Sequence, residues 1–422
     1  MTFQEQNQFL TQRRWRVLAA CCITNLCLGA PYAWSVFAGP LAEHLNALHG
    51  TAMTASDLAL AFSFSSSLTF ITMIAGGYLE KKIGARRIIF AGVILFGIGF
   101  LVCGMARSVL AVIFGFGVIG GLANGLGYVC TVSTAVKFFP DKKGLIGGIS
   151  TASYGISSVI IPPIADALNR SVGISRAFTI FGIAIIGIGG LCSLFILNCP
   201  DDYTPTGWNG GSSGAAGTSQ DMTALQMLAS PIFYVMLAMM FIGATIGLMM
   251  ISETAAIAQT MLGMSSSAAA LIVSTYALFN TGSRIVVGWI SDKIGRIRTI
   301  TYVLVLMVLS LLAIYLSGLS GNTFLFRAGI CLIGFSYGSF MGIYPAFTSD
   351  QFGVKYSALN YGILFIGFSL AGVVGPLIMQ KIFSEFASYR PSFPIAIVFA
   401  LIGIALTFLY RAVNRKLAQK SA

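Results

Sequence analysis

The chain has 422 residues, of which 56% are hydrophobic and only 9% charged, and its mean hydropathy is +0.86. Water-soluble globules carry about 25% charged residues, so this composition excludes one and places the chain in a bilayer. A formal charge of +12 would suggest nucleic acid in a soluble protein; here its distribution along the chain matters more than its size.

Apolar runs long enough to cross a hydrocarbon core about 30 Å thick recur along almost the whole sequence. In lipid they must be helices, because an open strand edge would leave backbone groups unpaired. In chain order they predict twelve spans, at 15–38, 55–79, 88–106, 109–136, 145–166, 177–198, 231–253, 265–290, 299–317, 325–348, 357–380 and 392–411. Arg13, Arg14 and Arg16 lead directly into a long first span, so no cleaved signal is expected. Alternating the connections puts 18 of the 25 lysines and arginines on one side, six on the other, and leaves Arg284 on neither. The positive-inside rule then makes both termini cytoplasmic, as an even number of spans requires.

The stretch "CPDDYTPTGWNGGSSGAAGTSQD", 199–221, is rich in Gly, Ser, Pro and Thr and reads as a flexible, water-exposed connection. It separates six spans from six, giving an expected N-terminal six-helix bundle over 1–198, a cytoplasmic linker over 199–226 and a C-terminal six-helix bundle over 227–422. The halves also resemble each other. "GGYLEKKIGARR" follows span two and "GWISDKIGRIR" follows span eight, and aligning Gly84 with Gly295 gives an offset of 211, half the chain length. Two six-span repeats are the organisation of many secondary transporters, whose substrate site lies between the halves near the midplane.

Arg284 interrupts the apolar "FNTGSRIVVGWISDKIGR" eight residues before Asp292, which is about 12 Å of helix and close to mid-bilayer. A guanidinium there costs about 2.5 to 3.5 kcal/mol on insertion scales and stays charged at any reachable pH. Acids within the spans are few. Asp57 and Asp166 fall near outer ends, and Glu253 is the one acid well inside apolar sequence. A substrate carboxylate held bidentately is therefore the expected partner of Arg284, and Asn280, four residues earlier on the same face, is placed to orient either group. Glu253 is also the candidate proton carrier, since intramembrane carboxylates often mark proton pathways. Tyr32, Tyr128, Tyr154 and Tyr337 lie inside spans one, four, five and ten, each needing a partner for its hydroxyl.

The repeated loop Gly-x-x-x-acid-Lys/Arg-x-Gly-Arg/Lys resembles the signature of the major facilitator superfamily. Gly288, Asp292, Lys293, Gly295 and Arg296 fit it. Gly77 and Gly84 fit it in the first half, but Lys81 stands where the acid belongs and Glu80 is one residue early. In such loops the carboxylate can sit by a helix N-terminus and by arginine partners, latching neighbouring helices, so Gly77, Gly84, Gly288, Asp292, Gly295 and Arg296 are the expected gating residues. Within the superfamily the chain is similar to the oxalate:formate antiporter family and its monocarboxylate-transporting relatives. "APYAWSVF", "FFPDKKGLIGG", "TASYG", "FNTGSR", "YPAFTSDQFG" and "NYG" carry that resemblance. It implies import or exchange of small organic anions such as lactate, pyruvate, formate or oxalate, and an aromatic pocket at the four tyrosines. Dicarboxylate transporters of the family share Asn360-Tyr361-Gly362 and place a lysine eight positions after the Asn; here that position is Phe368. One fixed cation suits one carboxylate, because a second would be left unpaired in a low dielectric.

The reading is an all-α membrane protein of twelve transmembrane helices in two six-helix repeats. It carries a monocarboxylate of the lactate or pyruvate type by proton symport with alternating access, as a monomer of the bacterial inner membrane. The alternatives are an oxalate/formate-type exchanger and a carboxylate sensor without net flux. No cofactor, metal or nucleic acid is expected, no nucleophile or metal constellation suggests an enzyme, and the eight cysteines read as small packing residues.

Overall fold

The computed structural model describes residues 2–208 and 221–421; residues 209–220 of the expected linker lie outside the described residues. Among the described residues the chain is helical without strands, and twelve helices are long and apolar enough to cross a membrane. We label them α1 (Gln4–His49), α2 (Ala55–Ile83), α3 (Ala85–Gly104), α4 (Val109–Lys137), α5 (Lys143–Val172), α6 (Ile174–Leu194), α7 (Pro231–Leu262), α8 (Ser266–Ile294), α9 (Arg296–Ser320), α10 (Thr323–Phe352), α11 (Ser357–Phe386) and α12 (Ser392–Leu417). Each expected span falls on one of them. Most run beyond the apolar core, because polar flanks continue a helix as readily as apolar ones. The sixth instead stops at Leu194, short of the expected 198, and Asn198 turns its side-chain oxygen to the Arg86 amide at the start of α3.

Several ends follow directly from the sequence. Ser265 and Asn322 cap α8 and α10 by accepting from Ala268 and from Phe324 and Leu325 amides, the usual role of a short polar side chain ahead of an apolar run. Gly84 and Gly295 alone separate α2 from α3 and α8 from α9. Their φ/ψ of 89°/148° and 92°/148° lie where a side chain is strongly disfavoured, so both copies of the loop use glycine for the same backbone corner.

The helices group into two compact units. The first comprises Met1–Asp141, Ile149–Gly211 and Val354–Ile363; the second comprises Lys142–Gly148, Ser212–Gly353 and Leu364–Ala422. The units are therefore not divided by a single cut in the chain. In the first, a Cβ on Gly77 of α2 would strike the backbone of Leu359, and one on Gly362 would lie 2.9 Å from the Met73 carbonyl. In the second, Gly144 and Gly148 at the start of α5 press against Gly288 and Arg284 of α8. Small residues let helix backbones approach closely in lipid, and these glycines set which turns pack with which unit.

Of the first residues of the expected water-exposed connection, Asp201, Asp202, Thr204, Thr206 and Gly207 are exposed, whereas Tyr203 and Pro205 are buried. Tyr203 is buried against the first unit, its phenol paired with Thr11 at 3.2 Å, and Thr204 accepts from Asn7. Lys81 pairs with Asp201 at 2.5 Å. One aromatic ring in a Gly/Ser/Pro-rich stretch was the signal, since a tyrosine buries far more area than its neighbours.

Candidate substrate and gate sites

In the second unit, Tyr276, Asn280 and Arg284 follow one another at single-turn spacing on α8. Opposite them on α10 stand Gly334, Gly338 and Gly342, each so close that an added Cβ would meet the backbone of Tyr276, Asn280 or Arg284 in turn. This glycine ladder, with Gly148 on the Arg284 carbonyl, holds the α8 backbone against its neighbours and leaves little freedom at the root of the arginine. Arg284 is 5% exposed and donates from Nη2 to Asn280 Oδ1 at 2.9 Å. Asn280 Nδ2 has no hydrogen-bond partner among the described residues. The carbonyl end of the amide thus fixes the guanidinium, and the amino end remains a donor for another group.

Tyr337 of α10 is 5% exposed and stacks on Phe368 of α11, with centroids 6.4 Å apart and planes within 9°. Tyr276 lies 6.4 Å from Tyr337 and ties its phenol to the Gly247 carbonyl of α7 at 2.9 Å, while Phe365 packs on Phe368 at 4.6 Å. Arg284, Asn280, Tyr337 and Phe368 thus belong to one unit.

The other three tyrosines belong to the first unit and contact one another. Tyr154 lies 5.5 Å from Tyr32 and 4.9 Å from Tyr128, both edge-on. The sequence makes this cluster by breaking two helices. Pro31 follows Gly29 into a short 3₁₀ turn at Ala30–Ala33 of α1, and α5 is interrupted at Ile156. The breaks meet where Ser157 donates to the Leu26 carbonyl and Gly29 abuts Tyr154 and Ser157. Asn124, which the sequence reading passed over, is 2% exposed; its amide donates to the Leu28 carbonyl at 2.9 Å and to the Tyr154 phenol at 3.2 Å. An asparagine in an apolar helix was the available signal, because an amide buried in lipid-facing sequence needs partners.

The acids within the spans are engaged elsewhere. Asp57 accepts from Thr54, Asp166 pairs with Arg170 at 3.0 Å, and Glu80 pairs with Lys137 at 2.7 Å. Glu253, half-buried on α7, accepts from the Tyr389 phenol at 2.9 Å.

The gate residues of the second unit form a closed set. Asp292 accepts from the Gly144 and Leu145 amides at the start of α5, both at 2.8 Å, and from Arg296 at 2.7 Å. Unpaired amides and the helix dipole make that N-terminus a favourable seat for a carboxylate. Arg296 also reaches Asp350 of α10 at 2.9 Å, as does Lys143, and donates to Ser291. Asp350 and Lys143 lie outside the expected gating residues and join the set through these ion pairs. Gly288 earns its place by contact, since a Cβ there would strike the Gly144 carbonyl. Among the described residues the first unit lacks this arrangement: Lys81 turns to Asp201, and Glu80 pairs with Lys137, 8% and 11% exposed.

Twelve apolar helices, a duplicated glycine-cornered loop and a buried cation on α8 define a multi-pass membrane carrier. A family model of the Major Facilitator Superfamily matches residues 19–376, and the chain belongs to that superfamily, whose members are secondary transporters rather than enzymes. It is 31% identical over 361 residues to the uncharacterized MFS-type transporter YhjX of Escherichia coli strain K12, covering 85% of this chain and 86% of that one. It is 28% identical over 417 residues to the oxalate:formate antiporter of Oxalobacter formigenes, covering 97% and 94%. The fold matches the crystal structure of the human organic anion transporter MFSD10 with a TM-score of 0.72 at 12% identity, over 93% of this chain and 99% of that one.

Proposed function

We propose that this chain carries a small organic monocarboxylate, of the lactate or pyruvate type, across the bacterial inner membrane together with a proton, as a monomer with both termini cytoplasmic. The observation that carries the reading is Arg284, 5% exposed in the middle of a long apolar helix and oriented by Asn280, with an aromatic ring at Phe368. A guanidinium offers two parallel donors to a carboxylate, and Asn280 Nδ2 offers a third to an adjacent oxo or hydroxy group. The aromatic surface of Tyr337 and Phe368 suits a short apolar tail and offers no second charge. Tyr32, Tyr128 and Tyr154 are proposed as further substrate-recognising residues.

An anion entering against the membrane potential needs a co-ion, and Glu253 is the proposed proton-carrying group because it is a half-buried carboxylate on a membrane helix without an ion-pair partner among the described residues. Asp292, Arg296 and the glycines Gly77, Gly84, Gly288 and Gly295 are proposed to gate alternating access, the carboxylate being released from the α5 N-terminus when that helix moves. Proteoliposomes loaded with or without a pH gradient and given labelled lactate, pyruvate, formate or oxalate test the assignment. Uptake of lactate or pyruvate driven by an inward proton gradient is expected; oxalate uptake that needs only internal formate would replace it with the exchanger reading, which the 28% identity to an oxalate:formate antiporter favours.

A further inference from the structure

The first copy of the glycine-cornered loop borders a cavity that substrate binding and gating do not use. Its volume is about 180 Å³, and every residue that lines it belongs to the first unit. Lys81 of α2, Lys137 of α4 and Lys355 in the turn ahead of α11 line it together with Glu80 and Asp201.

The internal repeat explains why a cavity stands there. At the offset of 211, Asp292 and Arg296 of the second copy correspond to Lys81 and Ala85 of the first. Gly144 and Leu145, whose amides hold the Asp292 carboxylate, correspond to Lys355 and Tyr356. In the second unit a carboxylate and a guanidinium fill this corner. In the first, alanine takes the place of the arginine and leaves room, and lysine takes the place of the acid and reverses the charge.

The lining carries three ammonium groups against two carboxylates, so it favours an anion. The Lys81 and Lys355 ammonium groups lie 5.7 and 5.9 Å from the centre of the same Tyr356 ring. The side chains of the Lys81–Asp201 pair are 37% and 44% exposed, and so exposed a pair contributes little, which leaves Lys81 open to a competing anion. Glu80 holds Lys137 through one of the three N–H donors of its ammonium group. Cys199, also in the lining, adds no charge, because burial above all pushes its thiol up to about 12. Ammonium groups bind phosphate as point charges, whereas bidentate carboxylate recognition calls for a guanidinium, and no arginine lines this cavity among the described residues.

We propose that the cavity binds a phosphate-class anion, free inorganic phosphate or the phosphoryl headgroup of an acidic lipid, held by Lys81, Lys137 and Lys355 in the corner that corresponds to the seat of Asp292. The site is separate from Arg284 and does not depend on which substrate is carried.

The purified full-length chain in detergent, titrated with sodium phosphate against sodium chloride at matched ionic strength and followed by calorimetry and Tm, tests the site. Saturable phosphate binding is expected in the parent, and Lys81→Gln and Lys355→Gln should each raise Kd about tenfold. Lys82→Gln, whose ammonium group lies over the Tyr78 ring and outside the lining, should leave Kd unchanged. Lys81→Asp restores the acid of the second copy and should abolish phosphate binding, with a parent-like Tm in chloride showing that it is folded. Should it not fold, the two glutamine variants carry the test. Nanodiscs of phosphatidylcholine with and without phosphatidylglycerol distinguish the two sources. Phosphatidylglycerol that raises the Tm of the parent but not of Lys355→Gln, and displaces free phosphate, assigns the site to a lipid headgroup; phosphate binding that is the same in both nanodiscs assigns it to the free anion. Absence of saturable phosphate binding together with absence of a phosphatidylglycerol effect overturns the proposal. So does a parent-like Kd in Lys81→Gln and Lys355→Gln, or an equal loss in Lys82→Gln, which would assign the binding to general surface charge.

Discussion

The two units keep the same corners and differ in their chemistry. At the offset that aligns Gly84 with Gly295, the second unit has Arg284 and the first has Met73; the second has Asp292 on a helix N-terminus and the first has Lys81 on Asp201. The first unit alone, among the described residues, contains π-helical stretches, at Ile113–Ile119 of α4 and Ile185–Gly189 of α6, and it holds the tyrosine cluster. What is retained is what the backbone requires. A positive φ at a one-residue corner admits little but glycine, whereas a side chain on a lipid-embedded scaffold is free to change provided each buried charge finds compensation.

The sharpest way to break this comparison is at Arg284. Arg284→Ala should lower kcat/KM for labelled monocarboxylate uptake by roughly 100-fold or more, about 3 kcal/mol of lost charge-assisted bonding. Met73→Leu, at the corresponding place in the first unit, should fall within a few-fold of the parent, since volume-conserving apolar swaps cost little. Equal losses at the two positions would show that the cation is not what distinguishes the units.

Next in size is the contrast between the acidic residues. Glu80→Ala leaves the Lys137 charge buried without its partner, and should lower unfolding stability in detergent by about 3 kcal/mol, read as a fall in Tm. Asp292→Ala should instead act mainly on transport rate, because Arg296 keeps Asp350 as a partner. If Asp292→Ala costs as much stability as Glu80→Ala, the two pairs do the same job and the asymmetry is only one of sequence.

The shared corner predicts symmetry. Gly84→Ala and Gly295→Ala should each destabilise by about 1–2 kcal/mol, with similar shifts in Tm, because both glycines hold φ near +90°. The smallest expected effect is on selectivity. Phe368→Lys should move the ratio of oxalate to lactate uptake upwards by several-fold, measured by competition; an unchanged ratio would mean that the ring beside Tyr337 does not decide charge preference.

Much of this was legible in the sequence because lipid leaves so few solutions. Twelve spans follow from apolar length alone, and Arg284 stands out because a permanent cation in such a run has no neutral explanation. The less legible features depend on pairing across helices. Nothing local says that Lys137 meets Glu80, that Asp350 meets Arg296, or that Tyr389 meets Glu253, since those partners are tens to more than a hundred residues apart. The anchoring of Tyr203 was hidden for a different reason: composition averages over a window, and one ring among glycines and serines changes the average little while changing the packing a great deal.

The glycine ladder along α10 has a consequence for how this carrier tolerates change. Gly334, Gly338 and Gly342 touch the backbone of α8, so substitutions on α8 side chains leave the helix spacing intact while substitutions on the ladder do not. Specificity is therefore open to variation on α8 because the three turns of α10 that face its backbone are glycine and serve as a fixed rail.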